Sequence, residues 1–171
     1  MIAEGSVLLE GLGIVINDGQ CDLYNRTGGA LSRGALVELD LHQVAAETTG
    51  IDFHDASSVF ANAVTPASAT LSFGWYAVLL DASLADNAKG RFALWGKIQA
   101  LVEDDADSLA VGDPLQPVDA TGNLVGIASG AATAGAKIIA RALEDVTTPT
   151  TAELATVLFN GVTGFGTFAA S

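Results

Sequence analysis

A chain of 171 residues, half of them apolar, is long enough to bury a core of its own and too apolar for wholesale disorder. The 20 acidic and 7 basic residues give a net charge of −13. The cations are scattered, so the clusters of Lys and Arg that displace phosphate counterions or seek anionic lipid are missing, and neither a nucleic-acid nor a membrane partner is expected.

The acidity reads as a source of solubility. A single cysteine, Cys21, permits no intrachain disulfide and reads as a small buried residue. Met1-Ile2-Ala3-Glu4 lacks the basic and apolar regions of a signal peptide. No run approaches the ~20 apolar residues of a transmembrane helix. Folding in a cytoplasm is therefore expected. Val, Thr and Gly at this density favour short strands joined by tight turns.

In chain order, Val7 to Ile16 predicts one or two strands kinked at Gly11 and Gly13, closed by the turn Asn17-Asp18-Gly19. Cys21 to Asn25 predicts a short strand. In Ala35 to Leu41, Val37, Leu39 and Leu41 alternate with Glu38 and Asp40, the pattern of a half-buried strand. The stretch near 42–70 is an irregular excursion with one short helix expected near Ser57 to Ala63. Trp75 to Leu80 predicts a buried strand. Arg91 to Glu103 predicts one long strand, with Phe92, Leu94, Ile98, Ala100 and Val102 on one face and Arg91, Trp95, Lys97, Gln99 and Glu103 on the other. Gly96 within it suggests a bulge or a close backbone approach.

Beyond the acidic stretch 103–107, short strands are expected at Leu124 to Ala128, Lys137 to Leu143 and Leu154 to Phe159. The tail 162–171 reads as a C-terminal arm in which Phe165 and Phe168 sit among glycines, or as a tail folded back on its own barrel. Leu31 to Val37 echoes Leu109 to Leu115, each with a Leu three residues before a Gly. Either a duplication or two similar turn-to-strand entries accounts for the echo. The chain is thus expected to be mainly β, a small β-barrel or β-sandwich with extended loops or terminal arms, forming one domain over 1–161. Leu154 and Ile138 are expected inside with Val37, Leu39, Leu41, Phe92, Leu94 and Ile98.

Catalytic chemistry is not evident. Gly11-Leu12-Gly13 lacks the Lys and the following helix of a phosphate loop. One Cys and two His build no common zinc site. His54, beside Asp55, Ser57 and Ser58, reads as a hydrogen-bonded loop residue, since proximity in sequence does not make a triad. His42 reads as surface. Asp104, Asp105 and Asp107 offer hard oxygens suited to calcium but lack the glycine and terminal glutamate of an EF-hand loop, so a solvated acidic loop is expected. No enzyme, no cofactor and no metal are predicted. Trp95, on a mixed face with Lys97 and Gln99, is a candidate contact residue, because aromatic anchors dominate binding energy. The other reading is that a loop of the same chain covers it. Phe165 and Phe168 are the second candidate contact group.

The run Gly90 to Glu103, the turn Gly112-Asp113-Pro114-Leu115, the hairpin Thr121-Gly122, and Ile138 to Asp145 with the closing strand Val157 to Gly161 together resemble the decoration and cement proteins of tailed-bacteriophage heads. The resemblance covers residues 90–161. It implies a non-enzymatic virion protein, a β-barrel or sandwich clamp on the capsid exterior. Its partner would be the major capsid protein, and it would be a homo-oligomer, with a trimer favoured, assembled in the host cytoplasm. Competing readings are another phage structural protein of tail, neck or fibre, or a surface β-module that binds carbohydrate.

Overall fold

The computed structural model of the chain describes residues 6–9, 14–40, 62–64, 75–103, 108–117, 122–127, 137–147 and 151–166. Regular structure in these residues is entirely strand: β1 (Ser6–Leu9), β2 (Ile14–Asn17), β3 (Gln20–Asn25), β4 (Leu31–Ser32), β5 (Leu36–Asp40), β6 (Asn62–Val64), β7 (Tyr76–Leu79), β8 (Ser83–Leu84), β9 (Lys89–Ala93), β10 (Trp95–Glu103), β11 (Pro114–Pro117), β12 (Leu124–Gly126), β13 (Ala140–Ala142) and β14 (Glu153–Asn160). The fold is mainly β and closes into barrels.

β3, β6, β5, β7 and β9 pair in a ring that returns to β3, and β10, β12, β11, β13 and β14 form a closed barrel. The two rings are wired alike. In each, the first strand lies parallel to the third (β3 to β6, β10 to β12) and every other pairing is antiparallel. β1 and β2 form a hairpin leading into the first ring, and the Asp18-Gly19 turn joins β2 to β3. Both turn residues take positive φ (49° and 78°), the two-residue geometry that suits the twist of paired strands.

Each ring has its own core. Cys21, Leu23, Val37, Leu39, Ala77, Leu79, Leu84, Phe92 and Leu94 fill the first. The second cluster gathers Ala100, Val102, Leu109, Leu115, Leu124, Ile139, Ala140, Ala142, Val146, Ala155, Val157 and Phe159, together with Leu36, Tyr76 and Val78 from the first ring. β5 and β7 are therefore covered on both sides. Val37, Leu39, Ala77 and Leu79 point into their own barrel, and the residues between them meet the second. This is why the whole of β7 is buried and why its sequence runs apolar without alternation.

Backbone hydrogen bonds stitch this joint. Leu101 donates to Gly34 O (2.8 Å), Leu36 to Gly122 O (2.7 Å), Tyr76 to Gly161 O (3.0 Å) and Gly161 to Leu94 O (2.8 Å). Glu38, only 6% exposed, and Lys137 lie at the same seam. The Lys137 ammonium sits 5.6 Å from the Tyr76 ring centroid. Burial lowers the Lys137 pKa, and the Glu38 carboxylate partly opposes the shift.

Several expectations change. The long strand expected over Arg91 to Glu103 is two strands, β9 and β10, parted by a bend at Leu94. Gly96 follows at φ 120° with open space around it, so it serves backbone conformation and not close approach. Phe92 and Leu94 consequently fill one core while Ala100 and Val102 fill the other. Within the unit expected over 1–161 the strands form two rings, and Leu36, Tyr76 and Val78 of the first share the core of the second. Asn62 and Ala63, expected at the end of a helix, lie in the strand Asn62–Val64; residues 57–61 lie outside the described residues, as does Leu41. The strand expected over Lys137 to Leu143 shortens to Ala140–Ala142. Val37, Leu39, Phe92, Leu94 and Ile138 are buried and Ile98 is partly so, but Leu154 is 42% exposed. In β14 the inward set is Ala155, Val157 and Phe159, which leaves Leu154 and Leu158 outside. Both faces of that strand are apolar, so alternation alone did not tell inside from outside.

The tail as far as residue 166 folds back on the second barrel. Phe165 N–H donates to Ile138 O (2.7 Å), Ile138 N–H to Gly166 O (2.9 Å) and Gly164 N–H to Asn160 O (3.0 Å). The Asn160 side chain closes the turn through Thr163 and Gly164. Of the two readings of the tail, the folded-back one describes 161–166; Phe168 and the rest of 167–171 lie outside the described residues.

Candidate contact surface

β10 and β14 pair over eight positions, which fixes what stands side by side on their outer face. Trp95 is opposite Asn160, Lys97 opposite Leu158, Gln99 opposite Thr156 and Leu101 opposite Leu154. β13 adds Arg141 beside Leu158. Trp95, Lys97 and Gln99 are exposed and alternate with less exposed residues, as their spacing predicts. Trp95 is 39% exposed, Leu158 39% and Leu154 42%. The face therefore presents one indole and two leucines around a lysine, a glutamine and a threonine. The indole rests against the Gly19 turn, where a Cβ would lie 2.8 Å from its Nε1. The side chain is thus braced from beneath while its outer surface stays open. Leu154 also reaches the joint, where it would meet a Cβ at Gly34.

The first barrel supplies a comparison. Its matching strands β3 and β9 place Asp22 opposite Arg91 and Tyr24 opposite Lys89. There the outer face is ion-paired, Lys89 with Asp22 and Arg91 with Asp81, each at 3.4 Å. Where the first barrel has Asp22, Lys89 and Arg91, the second has Gln99, Leu154 and Thr156. Lys89 stands at the position of Leu154, so barrel closure does not require a leucine there; Leu158 falls on Ala93, which is 1% exposed. Among the described residues Lys97 takes part in neither ion pair.

Phe165 is 37% exposed and belongs to the tail that turns back after Asn160, the register partner of Trp95. The tail and the Trp95 face thus share a strand end. The sequence pattern singled out Trp95, Lys97 and Gln99; it missed Leu154 and Leu158.

Elsewhere the described residues hold no group of three or more His, Cys, Asp or Glu placed to bind a metal ion. His42, His54, Ser57, Ser58, Asp104, Asp105 and Asp107 lie outside the described residues. No described helix is long and apolar enough to cross a membrane. Cys21 is 4% exposed. Burial, with a smaller contribution from the Asp22 carboxylate, pushes its thiol up from 9.0 to about 12. A thiol so placed is a poor nucleophile.

The folded pKa of Cys21 is the higher one, so the native state holds its proton after the unfolded state has lost it. Stability linked to this thiol is complete below pH 9 and falls through the window from 9 to about 12, by up to ~1.4 kcal/mol per pH unit. Urea titrations at pH 8 and pH 10 are expected to show this loss in the native sequence and a smaller one in Cys21→Ala. A thiol reagent at pH 8 is expected to react only as fast as the protein opens.

No family model fits the chain, and no curated protein matches it.

Proposed function

We propose that this chain is a structural virion protein that docks on the outside of a tailed-phage head and stabilises it. The observation that carries the reading is the outer face of β10 and β14, where Trp95, Leu154 and Leu158 stand exposed together, Leu154 at the position where the sister barrel places the ion-paired Lys89. Apolar groups held outward on rigid strands serve docking better than folding. The resemblance over residues 90–161 names the partner class, the major capsid protein, and favours a homotrimer. A binder that recognises only the assembled shell stabilises it by mass action and needs no catalytic group, metal or cofactor. The acidic remainder of the surface keeps decorated particles apart in solution.

The carbohydrate-binding alternative draws less support. Such sites usually present several aromatics together, whereas Tyr76 is buried and Trp75 packs against the first core, and Tyr24 is capped by Arg26 at 5.8 Å. A tail, neck or fibre part remains the nearer competitor, and copy number per particle separates the two: hundreds for a decoration protein, few for the others.

The test is binding of the purified protein to undecorated mature heads. Saturable binding is expected, with Trp95→Ala weakening it about thirty-fold, the effect of losing a hot-spot side chain worth ~2 kcal/mol. The same variant should keep the melting temperature within a few degrees, because the indole packs on a turn and not in either core. Absence of binding to heads, with the native fold intact, rejects the reading.

A further inference from the structure

The two barrels agree in more than strand order. If the hydrogen-bonded register of one is laid on the other, Gln20 falls on Lys97, Leu36 on Pro114, Ala63 on Leu124, Val78 on Arg141 and Phe92 on Val157. With these five anchors every cross-strand pairing shared by both rings coincides. Cys21↔Phe92 falls on Ile98↔Val157, Asn25↔Ala63 on Val102↔Leu124, Leu39↔Ala63 on Pro117↔Leu124, Val37↔Ala77 on Leu115↔Ala140, and Leu79↔Phe92 on Ala142↔Val157. One anchor per strand is free, so four of these agreements follow from the choice of anchors; the fifth, closure of the ring in the same register, is independent and means that the two rings share one stagger.

The turn that enters the second strand agrees as well. Gly34 donates to Leu79 O, Ala35 to Ser32 O and Leu79 to Ala35 O; in the other barrel Gly112 donates to Ala142 O, Asp113 to Ala110 O and Ala142 to Asp113 O. Gly34 and Gly112 hold φ of 82° and 96° at the same point of that turn, and Gly19 and Gly96 are both at positive φ where the first strand begins. Leu31 bridges to Leu84 just as Leu109 bridges to Val146.

We propose that the chain is a tandem duplication of one five-stranded barrel unit, and that the segment between β5 and β6 is an insertion which the first unit does not need for folding. The two units connect these strands differently: residues 41–61 lie between Asp40 and Asn62 in the first, residues 119–122 between the matching Val118 and Asn123 in the second. The strands being joined have the same antiparallel register in both, so the short connection spans the same gap. Residues 41–61 carry both histidines, His42 and His54, with Phe53 and Phe60. On this inference they are sequence beyond what the barrel requires. The joint also shows where the units have diverged. Leu36 N–H and Gly34 O of the first unit bond to the second. At the matching positions Pro114 has no N–H to give, and Gly112 O accepts from Arg141 Nη1 (2.9 Å). The second unit therefore offers no such edge to a third.

The experiment replaces residues 41–61 in the full chain with the tetrapeptide Asp119 to Gly122, the register-matched connection of the second unit. The expected product unfolds in one cooperative transition, with a melting temperature equal to or above that of the native chain, since a shorter loop costs less entropy to close. Its β5 and β6 amides should remain protected from hydrogen exchange. A second variant carries four Gly and Ser residues in place of 41–61, so that an unsuitable tetrapeptide is distinguished from a missing segment. Folding of either variant with β5–β6 protection supports the proposal. Loss of cooperative unfolding in both shows that the first barrel depends on 41–61, and overturns it.

Discussion

Replacing Asn25 by valine is expected to destabilise the protein by about 3 kcal/mol, because a wholly buried amide ties three stretches of chain together at this one point. Asn25 is 0% exposed. Its Nδ2 donates to Gly29 O (2.7 Å), Ala85 O (3.1 Å) and Leu84 O (3.3 Å). Its Oδ1 accepts from the Thr27 backbone N–H (3.1 Å) and from Thr27 Oγ1 (2.8 Å). Its own backbone is bonded to Ala88 O and to Asn87 N–H. Valine removes all of these bonds and leaves the buried Leu84 carbonyl without its donor, while Gly29, Ala85 and Thr27, which are partly or wholly exposed, lose the tie that holds their loops together. The matching position in the second barrel is Val102, 1% exposed. The site therefore accepts valine sterically, and the loss isolates the hydrogen bonds. Urea unfolding should show a lower midpoint with an unchanged slope. A midpoint within error of the native one would mean that the loops hold without this hub.

Gly161→Ala is expected to cost about 3 kcal/mol or more, roughly 6–12 °C in melting temperature for a chain of this size. A Cβ at this position would lie 2.0 Å from Tyr76 O and 2.7 Å from Phe159 Cζ. The first of these is backbone and cannot rotate away. Relief requires the strands to part, which strains the bonds from Tyr76 to Gly161 O and from Gly161 to Leu94 O that hold the barrels together. Gly112→Ala is the control. It has φ 96° but nothing within 4 Å of a Cβ, so it should cost about 1–2 kcal/mol of backbone strain. Equal losses in the two variants would show that strain, and not the close approach of the barrels, sets the effect at Gly161.

Much of the fold was legible before any coordinates. The alternation at Val37 and Leu39, the apolar run through β7, the Asp18-Gly19 turn and the low aromatic content all pointed to short strands closing on themselves, because side-chain period and turn chemistry are local properties. The echo between Leu31–Val37 and Leu109–Leu115 was also visible, and it marks the same turn in both barrels. Its meaning was not available locally. Two similar turns differ from a duplication only in the pairing register of strands far apart in sequence.

The candidate surface divides in the same way. Trp95, Lys97 and Gln99 could be placed on one face because a strand alternates. That Leu154 and Leu158 stand beside them was decided by the tertiary structure. β14 is apolar on both faces, and only closure of the barrel chose Ala155, Val157 and Phe159 as its interior. Likewise Arg91 to Glu103 carries one continuous pattern, yet the bend at Leu94 shares it between two cores. Composition and periodicity by themselves determined that this acidic chain would be built of short strands and where many of them would run. Which apolar face turns inward depends on which strands meet, and that is a property of long-range packing that no local pattern carries.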